Sequence, residues 1–281
     1  MILEVDLEIK LGELVDKNFL VDNSESGMVH PWRSHYDRAA ELLRQHVARG
    51  ELLGTRTVSC FLSLALRYSY LDINEKKKLL LEAFKICEII YRANMSNELV
   101  TKILDQLSDT HFKTGDVKCA IECREILMKM EMELHVSNPF HEHVSNNLMM
   151  WAFFSLKMPG NREVIESYYE YLSSAEKNKD LKNSSSRTTA AKCFTFLSIL
   201  FYTSGDMEKA ETLNNKSSQL FDEISKSGET EMLPCKKTCN LMRNILLSRM
   251  TLRSRIEELI FSFGELFVAD DSGDIKSANE E

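Results

Sequence analysis

Apolar and polar residues follow each other along most of the chain with the three-to-four-residue spacing of amphipathic helices. One such stripe contains Ile103, Leu104 and Leu107, and another contains Ala120 and Leu127. This spacing places the apolar side chains on one face of a helix. Outside the repeated segments described below, the pattern predicts helices over about 32–49, 55–69, 75–93, 234–250 and 255–267.

The first twenty residues fit two patterns. Leu3, Val5 and Leu7 alternate with polar residues as in a strand, whereas Leu7, Leu11 and Leu14 fit one face of a helix. We favour the helix, because no other segment predicts a strand that could pair with this one.

Three segments repeat with a period of 45 residues. Residues 104–127, 149–172 and 194–217 align when Gly115, Gly160 and Gly205 are superposed. A glycine at this place is expected to adopt the left-handed conformation that ends a helix. The Asp or Asn that follows it is expected to accept hydrogen bonds from the first N–H groups of the next helix. Each segment is therefore predicted to form two helices joined by a tight turn.

Composition supports an all-α fold. The 281 residues include only ten Gly and four Pro. The turns of β-sandwiches and the phosphate-binding loops of nucleotide-binding α/β folds both need more of these residues. The prediction is an α-solenoid of about 10–12 helices, arranged as stacked antiparallel hairpins.

The repeated segments resemble the tetratricopeptide (TPR) family, with a turn of the form Gly-Asp-x-x-x-Ala. Ala120 and Ala210 occupy the place of the characteristic small residue, and Phe201 that of the Tyr in the motif. Leu107-Ser108 and Leu197-Ser198 take the place of its Leu-Gly pair. The middle segment departs from the motif with Ile165, and the period is 45 residues in place of 34.

The resemblance implies that the first helix of each hairpin lines a groove that binds another protein. The implied groove is mildly basic and partly apolar, which suits an acidic peptide or helix as the partner. It lacks the Lys/Asn/Arg clamp with which some TPR domains hold a carboxyl terminus. By analogy with the family, the groove residues are Lys102, Asp105, Asp109, Lys113, Asn147, Met150, Phe154, Lys157, Lys192, Thr195 and Tyr202.

Charge is distributed unevenly along the chain, which has a net charge of −8. Residues 1–26 carry seven acids and two lysines, and residues 256–281 carry eight acids and one lysine. The middle of the chain is mildly basic, without a dense basic run, so nucleic acid is not an expected partner. Residues 269–281 are predicted to form a disordered acidic tail, which could compete for the basic groove.

Seven cysteines are scattered along the chain. The sequence shows neither a signal peptide nor an apolar stretch long enough to span a membrane. These features predict a cytoplasmic or nuclear protein with free thiols. Cys119 and Cys123 are four residues apart, as are Cys235 and Cys239, a spacing that is also typical of a core stripe. His141-Glu142-His143 lacks the spacing of a helical metal motif and is interpreted as a helix start. We therefore predict no metal, no cofactor and no catalytic residue.

The predicted organisation has three parts. Residues 1–26 form an acidic N-terminal cap, residues 27–268 one TPR-like domain, and residues 269–281 the tail. The predicted function is a non-catalytic scaffold or adaptor that binds a protein. The alternatives are a structural or regulatory subunit of a complex, such as a meiotic synapsis or crossover scaffold, and a helical metal-dependent enzyme.

Overall fold

The computed structural model describes residues 2–19, 33–50, 54–68, 72–92, 95–178, 184–226, 233–248, 258–259 and 261–263. Every regular element of these residues is helical, which confirms the all-α prediction. They form the helices α1 (Ile2–Phe19), α2 (Arg33–Ala48), α3 (Thr55–Arg67), α4 (Ile73–Ile90), α5 (Glu98–Lys113), α6 (Val117–Leu134), α7 (Glu142–Ser155), α8 (Arg162–Asn178), α9 (Ser184–Thr203), α10 (Met207–Lys226) and α11 (Leu233–Ser248).

Two of the three repeated turns have the predicted chemistry. Gly115 and Gly205 have φ values of +83° and +89°. The N–H of Gly205 donates to the Tyr202 carbonyl at 3.1 Å, and the N–H of Asp206 donates to the Phe201 carbonyl at 2.8 Å. The turn at Gly115 has the same pair of hydrogen bonds. This is the Schellman motif, in which the left-handed glycine lets two N–H groups return to the last turn of the helix.

The residue after the glycine caps the next helix at Asn161 and at Asp206. The Asn161 side chain accepts from the N–H of Glu163 at 3.0 Å, and the Asp206 side chain accepts from the N–H of Lys209 at 3.2 Å. These hydrogen bonds satisfy N–H groups that have no partner within the helix. The predicted capping roles of Asn161 and Asp206 are therefore confirmed.

The middle turn differs from the other two, and the prediction for Gly160 is wrong. Gly160 does not have a positive φ. It lies instead against the indole of Trp151, where a Cβ atom would stand 2.7 Å from Nε1. The glycine is required at this turn by the close approach of a side chain.

The described residues divide into two compact units, Met1–Asp116 and Val117–Glu281. In the first unit, α1 packs on α2 and α3, and each later helix packs on its predecessor up to α5. Gly12 lets α1 approach α2 closely, since a Cβ atom there would lie 2.4 Å from the Tyr36 ring. The helix predicted for the first twenty residues is thus confirmed as α1.

In the second unit, α6 contacts α7 and α8, while α9 contacts α7, α8, α10 and α11. Helix α9 lies at the centre of this unit. From Thr189 to Phe201 only Lys192 retains substantial exposure. Helix α9 is thus covered by its neighbours, as expected of a helix inside a stack. The predicted division at residues 26 and 268 stays a prediction, and the predicted tail at 269–281 lies outside the described residues.

Candidate partner-binding surfaces

A cleft of about 550 Å³ lies between α1 and α3 in the first unit. Lys10 and Glu13 line it from α1, and Arg56 and Arg67 line it from α3. The exposed side chains of Ser59, Ser63 and Leu66 form its surface on α3. The cleft therefore has charged, hydroxyl and apolar groups side by side.

Two ion pairs bridge this cleft. Arg56 Nη2 lies 2.6 Å from Asp6 Oδ2, and Arg67 Nη2 lies 2.5 Å from Glu13 Oε1. The arginine side chains remain 60% and 45% exposed. Exposed ion pairs of this kind contribute only about 0–1 kcal/mol to stability. Because a guanidinium has five donors, each arginine can also bind a carboxylate of a partner.

The sequence pattern did not predict this cleft. Arg56 and Arg67 lie eleven residues apart, which is about three helical turns, so a helix brings both to one face. That spacing was the available signal. The approach of α1, which supplies the acidic partners Asp6 and Glu13, depends on tertiary packing.

The predicted groove residues of α5 lie on one stripe in the first unit. Lys102 and Lys113 are exposed, whereas Asp105 and Asp109 are half-buried. The Nζ atom of Lys102 lies 2.8 Å from Glu98 Oε1, and that of Lys113 lies 2.8 Å from Asp109 Oδ2. With Glu98 included, the stripe has three acids and two bases, so this part of the predicted groove is not basic by itself.

Asn147 lies inside the second unit. Its Oδ1 accepts a hydrogen bond from Arg124 Nη1 at 2.7 Å, and its Nδ2 donates to Glu131 Oε1 at 3.2 Å. Arg124 and Glu131 are both buried. Asn147 therefore joins two buried charges of α6 and does not present its side chain to a ligand, which corrects its predicted groove position.

Phe154 and Thr195 are also buried, contrary to their predicted place in the groove. The Phe154 ring lies beneath the guanidinium of Arg124, with 5.7 Å between the guanidinium carbon and the ring centroid. The Thr195 hydroxyl lies 2.6 Å from that of Ser217 on α10. Both side chains thus face the second helix of a hairpin. Other predicted positions keep some exposure, with Lys157 exposed and Met150, Lys192 and Tyr202 half-buried.

His141 has a structural role at the start of α7. Its Nδ1 accepts a hydrogen bond from the N–H of His143 at 3.3 Å, which confirms that this triplet begins a helix. Its ring stacks on that of His135, with 4.2 Å between centroids. Burial, followed by the charge of the neighbouring rings, lowers the pKa of both His135 and His141. The cluster thus favours neutral rings.

Five of the cysteines are buried in the core, and Cys119 and Cys123 are half-buried. No disulfide joins the described cysteines. Burial raises the pKa of Cys60 and of Cys87 to about 11. A thiol with such a pKa is a poor nucleophile near neutral pH. Cys235 and Cys239 are both buried, which confirms the prediction that this pair packs in the core.

Three solved structures are similar to the chain. TPR-like repeats assigned to a kinesin light chain of Podospora anserina share 14% identity, with a TM-score of 0.49 over 79% of this chain and 97% of theirs. A single-residue variant of those repeats gives 0.47 at 14% identity, over 79% and 96%.

BtubC of P. vanneervenii also shares 14% identity, with a TM-score of 0.44 over 86% of this chain and 90% of its own. No family model matches the sequence, and no curated protein does. Among the described helices, none combines the length and the apolar character needed to cross a membrane.

Proposed function

We propose that the protein is a non-catalytic scaffold that binds an acidic peptide segment of another protein in the cleft between α1 and α3. The observation that carries this proposal is the pair of half-exposed arginines, Arg56 and Arg67, on one side of an open cleft. With Lys10, the cleft has three bases against the two acids Asp6 and Glu13. Its charge is complementary to an acidic segment.

The spacing of the arginines indicates an extended or helical ligand. Eleven residues of α-helix rise by about 16 Å, so the two guanidinium groups can contact carboxylates that are several residues apart in the ligand. Between them, Leu66 is 45% exposed and offers an apolar contact next to Ser59 and Ser63. One apolar side chain flanked by acidic residues is therefore the ligand pattern that fits the cleft.

The stripe on α5 is a second part of this proposal. On one side of α5, Lys102 and Lys113 flank Asp105 and Asp109, and all four remain at least partly exposed. Such a stripe selects the register of a bound segment more than it adds affinity, because exposed charges are well solvated. The predicted roles as a subunit of a complex and as a meiotic scaffold stay predictions.

The experiment compares fluorescein-labelled peptides of fifteen residues in fluorescence anisotropy. The peptides share one central Leu and carry acidic, neutral or basic flanks. We expect the acidic peptide to bind the full chain, with an affinity that falls as salt is raised. Exchanging Arg56→Glu together with Arg67→Glu is expected to weaken this binding at least about tenfold, since two charge-assisted contacts are lost.

The matched control is the double exchange Arg38→Glu with Arg92→Glu. Both arginines are exposed and lie in the same unit, but neither lines the cleft. The control changes the net charge equally, so we expect its affinity to stay much closer to that of the wild-type chain. An equal loss in both variants, or no preference for the acidic peptide, would contradict the proposal.

A further inference from the structure

Helix α1 is anchored on α2, on a different side from the cleft that separates it from α3. Gly12 brings α1 against the Tyr36 ring of α2, where a Cβ atom would lie only 2.4 Å from the ring. The carboxylate of Glu8 lies 2.7 Å from Nδ1 of His35, which also belongs to α2. These contacts support α1 independently of the two ion pairs that cross the cleft.

Two acids of α1 contact the arginines that an acidic ligand of the cleft would use. Asp6 and Glu13 are seven residues apart, which is about two helical turns, so both lie on the side of α1 that faces α3. Asp6 accepts a hydrogen bond from Arg56 Nη2 at 2.6 Å, and Glu13 accepts one from Arg67 Nη2 at 2.5 Å. These carboxylates therefore have the chemistry of the ligand and the same partners on α3.

Both contacts can be exchanged without opening any buried packing. The side chains of Asp6 and Glu13 are 34% and 32% exposed, and the arginines are more exposed than the acids. Each hydrogen bond runs through Nη2 and is not the stronger bidentate pair of an arginine with a carboxylate. Such contacts are weak, because water solvates both charges well when they separate. A ligand carboxylate can therefore replace either acid while α1 stays on α2.

The two acids also set the charge of the cleft. Its bases are Lys10, Arg56 and Arg67, so the cleft has a net charge of +1 with both acids ionised. Without the charges of Asp6 and Glu13 the net charge would be +3. The acids of α1 thus reduce the attraction of the cleft for any negatively charged ligand.

We propose that Asp6 and Glu13 are built-in competitors of the acidic ligand, which limit its affinity and determine its specificity. This inference rests on the proposed function, since it concerns the same cleft. A ligand reaches Arg56 or Arg67 only by replacing a carboxylate of α1, so binding exchanges one ion pair for another. A ligand with a single acid therefore gains little, and the cleft selects segments that supply carboxylates to both arginines at once.

The test uses the acidic fifteen-residue peptide described above and the full-length chain. Asp6→Asn together with Glu13→Gln keeps the size of both side chains and removes their charges. We expect the peptide to bind this double variant about three- to tenfold more tightly than the wild-type chain, with a steeper dependence on salt. The matched control is Glu41→Gln with Glu88→Gln, which removes two exposed acids of the same unit that do not line the cleft. Its affinity should change less than about twofold.

A double-mutant cycle distinguishes exchange of ion pairs from general repulsion. Asp6→Asn should raise the affinity when Arg56 is present and should have little effect in the Arg56→Gln background, where no arginine is released. The same exchange should keep its full effect in the Arg67→Gln background, because Arg67 belongs to the other ion pair. Equal effects of Asp6→Asn in the two backgrounds, or a double variant that binds no more tightly than the control, would overturn the inference.

Failure of this inference can be distinguished from failure of the proposed function. If neither the wild-type chain nor the double variant prefers the acidic peptide, the proposed function fails and the inference fails with it. If Arg56→Glu with Arg67→Glu weakens binding as expected but the loss of both acids has no effect, only the role of Asp6 and Glu13 as competitors is refuted.

Discussion

The indole of Trp151 lies directly against Gly160, so that the turn between α7 and α8 has no room for a side chain at this glycine. Trp151 has no exposed surface and is among the largest side chains of the core. The distance from a Cβ atom at position 160 to Nε1 would be only 2.7 Å. The same place in the repeat thus requires glycine for different reasons in different hairpins.

The exchange Gly160→Ala should destabilise the protein by about 1–3 kcal/mol, because the new methyl group overlaps Trp151 and the core must shift. The free energy of unfolding is measured in urea. The comparison variant is Gly205→Ala, where a Cβ atom meets nothing within 4 Å and the cost of about 1 kcal/mol arises from a φ of +89°.

A second exchange separates the two causes. Trp151→Phe makes room next to position 160, so the additional cost of Gly160→Ala should be smaller in the Trp151→Phe background. The cost of Gly205→Ala should be the same in both backgrounds, because its cause is the backbone conformation. If Trp151→Phe reduced neither cost or both costs equally, the close approach would not explain the glycine.

The sequence predicted the helices and two of the turns because their causes are local. A glycine followed by Asp determines its own hydrogen bonds, as at Gly115 and Gly205. The middle turn could not be predicted in the same way, because its glycine is required by the close approach of Trp151, nine residues earlier in the chain. A period of 45 residues identified the hairpins but not the reason for each glycine.

Two of the predicted groove positions, Phe154 and Thr195, are buried for a related reason. Phe153 and Phe154 are both large and apolar, so the pattern does not tell which of them faces α6 and which faces away. The structure assigns Phe154 to Arg124 and Phe153 to Phe263. On α9, likewise, Thr195 faces α10, whereas the next residue, Phe196, contacts Phe263. A one-residue error changes the direction by about 100°, which is enough to turn a predicted binding residue into a core residue.

The buried hydrogen bonds of Asn147 predict a large effect on stability. Asn147→Leu removes its contacts with Arg124 and Glu131, both of which carry buried charges. We expect a loss of about 3 kcal/mol in the free energy of unfolding, since buried charges that lose a hydrogen-bond partner are costly.

The neighbouring Asn146 provides the control for this exchange. It lies on the same helix and is half-buried. The exchange Asn146→Leu should change the free energy of unfolding by about 1 kcal/mol or less. Similar losses for the two variants would show that the hydrogen bonds of Asn147 are not the cause.

Thiol labelling tests the burial of the cysteines in the native protein. Cys119 and Cys123 are half-buried and should react first with iodoacetamide at pH 8, as followed by peptide mass spectrometry. Cys60 and Cys87 should react much more slowly, because burial raises their pKa to about 11. Cys193 has no exposed surface and should react only with unfolded protein. Early labelling of Cys193 would contradict the central position of α9.

We expect the protein to lose stability in weak acid because of two stacked histidines, His135 just after α6 and His141 just before α7. Burial, and then neighbouring ring charge, lowers the pKa of His135 and His141 below the ordinary value of 6.5, although Glu131 and Glu142 oppose part of this effect at His141. The unfolded chain therefore binds protons at a higher pH than the folded protein does. The stabilisation by the neutral rings is complete above pH 6.5 and decreases as the pH falls below it.

His141→Asn isolates the contribution of one ring to this pH dependence. Asparagine can cap α7 as the Nδ1 atom of His141 does, but it does not titrate. In urea unfolding at pH 7.5, 6.5 and 5.5, the variant should equal or exceed the wild-type stability at the highest pH and should lose less of it on acidification. A protonated His141 cannot accept the N–H of His143, so an unchanged pH dependence in the variant would mean that this cap does not couple folding to the protonation of the ring.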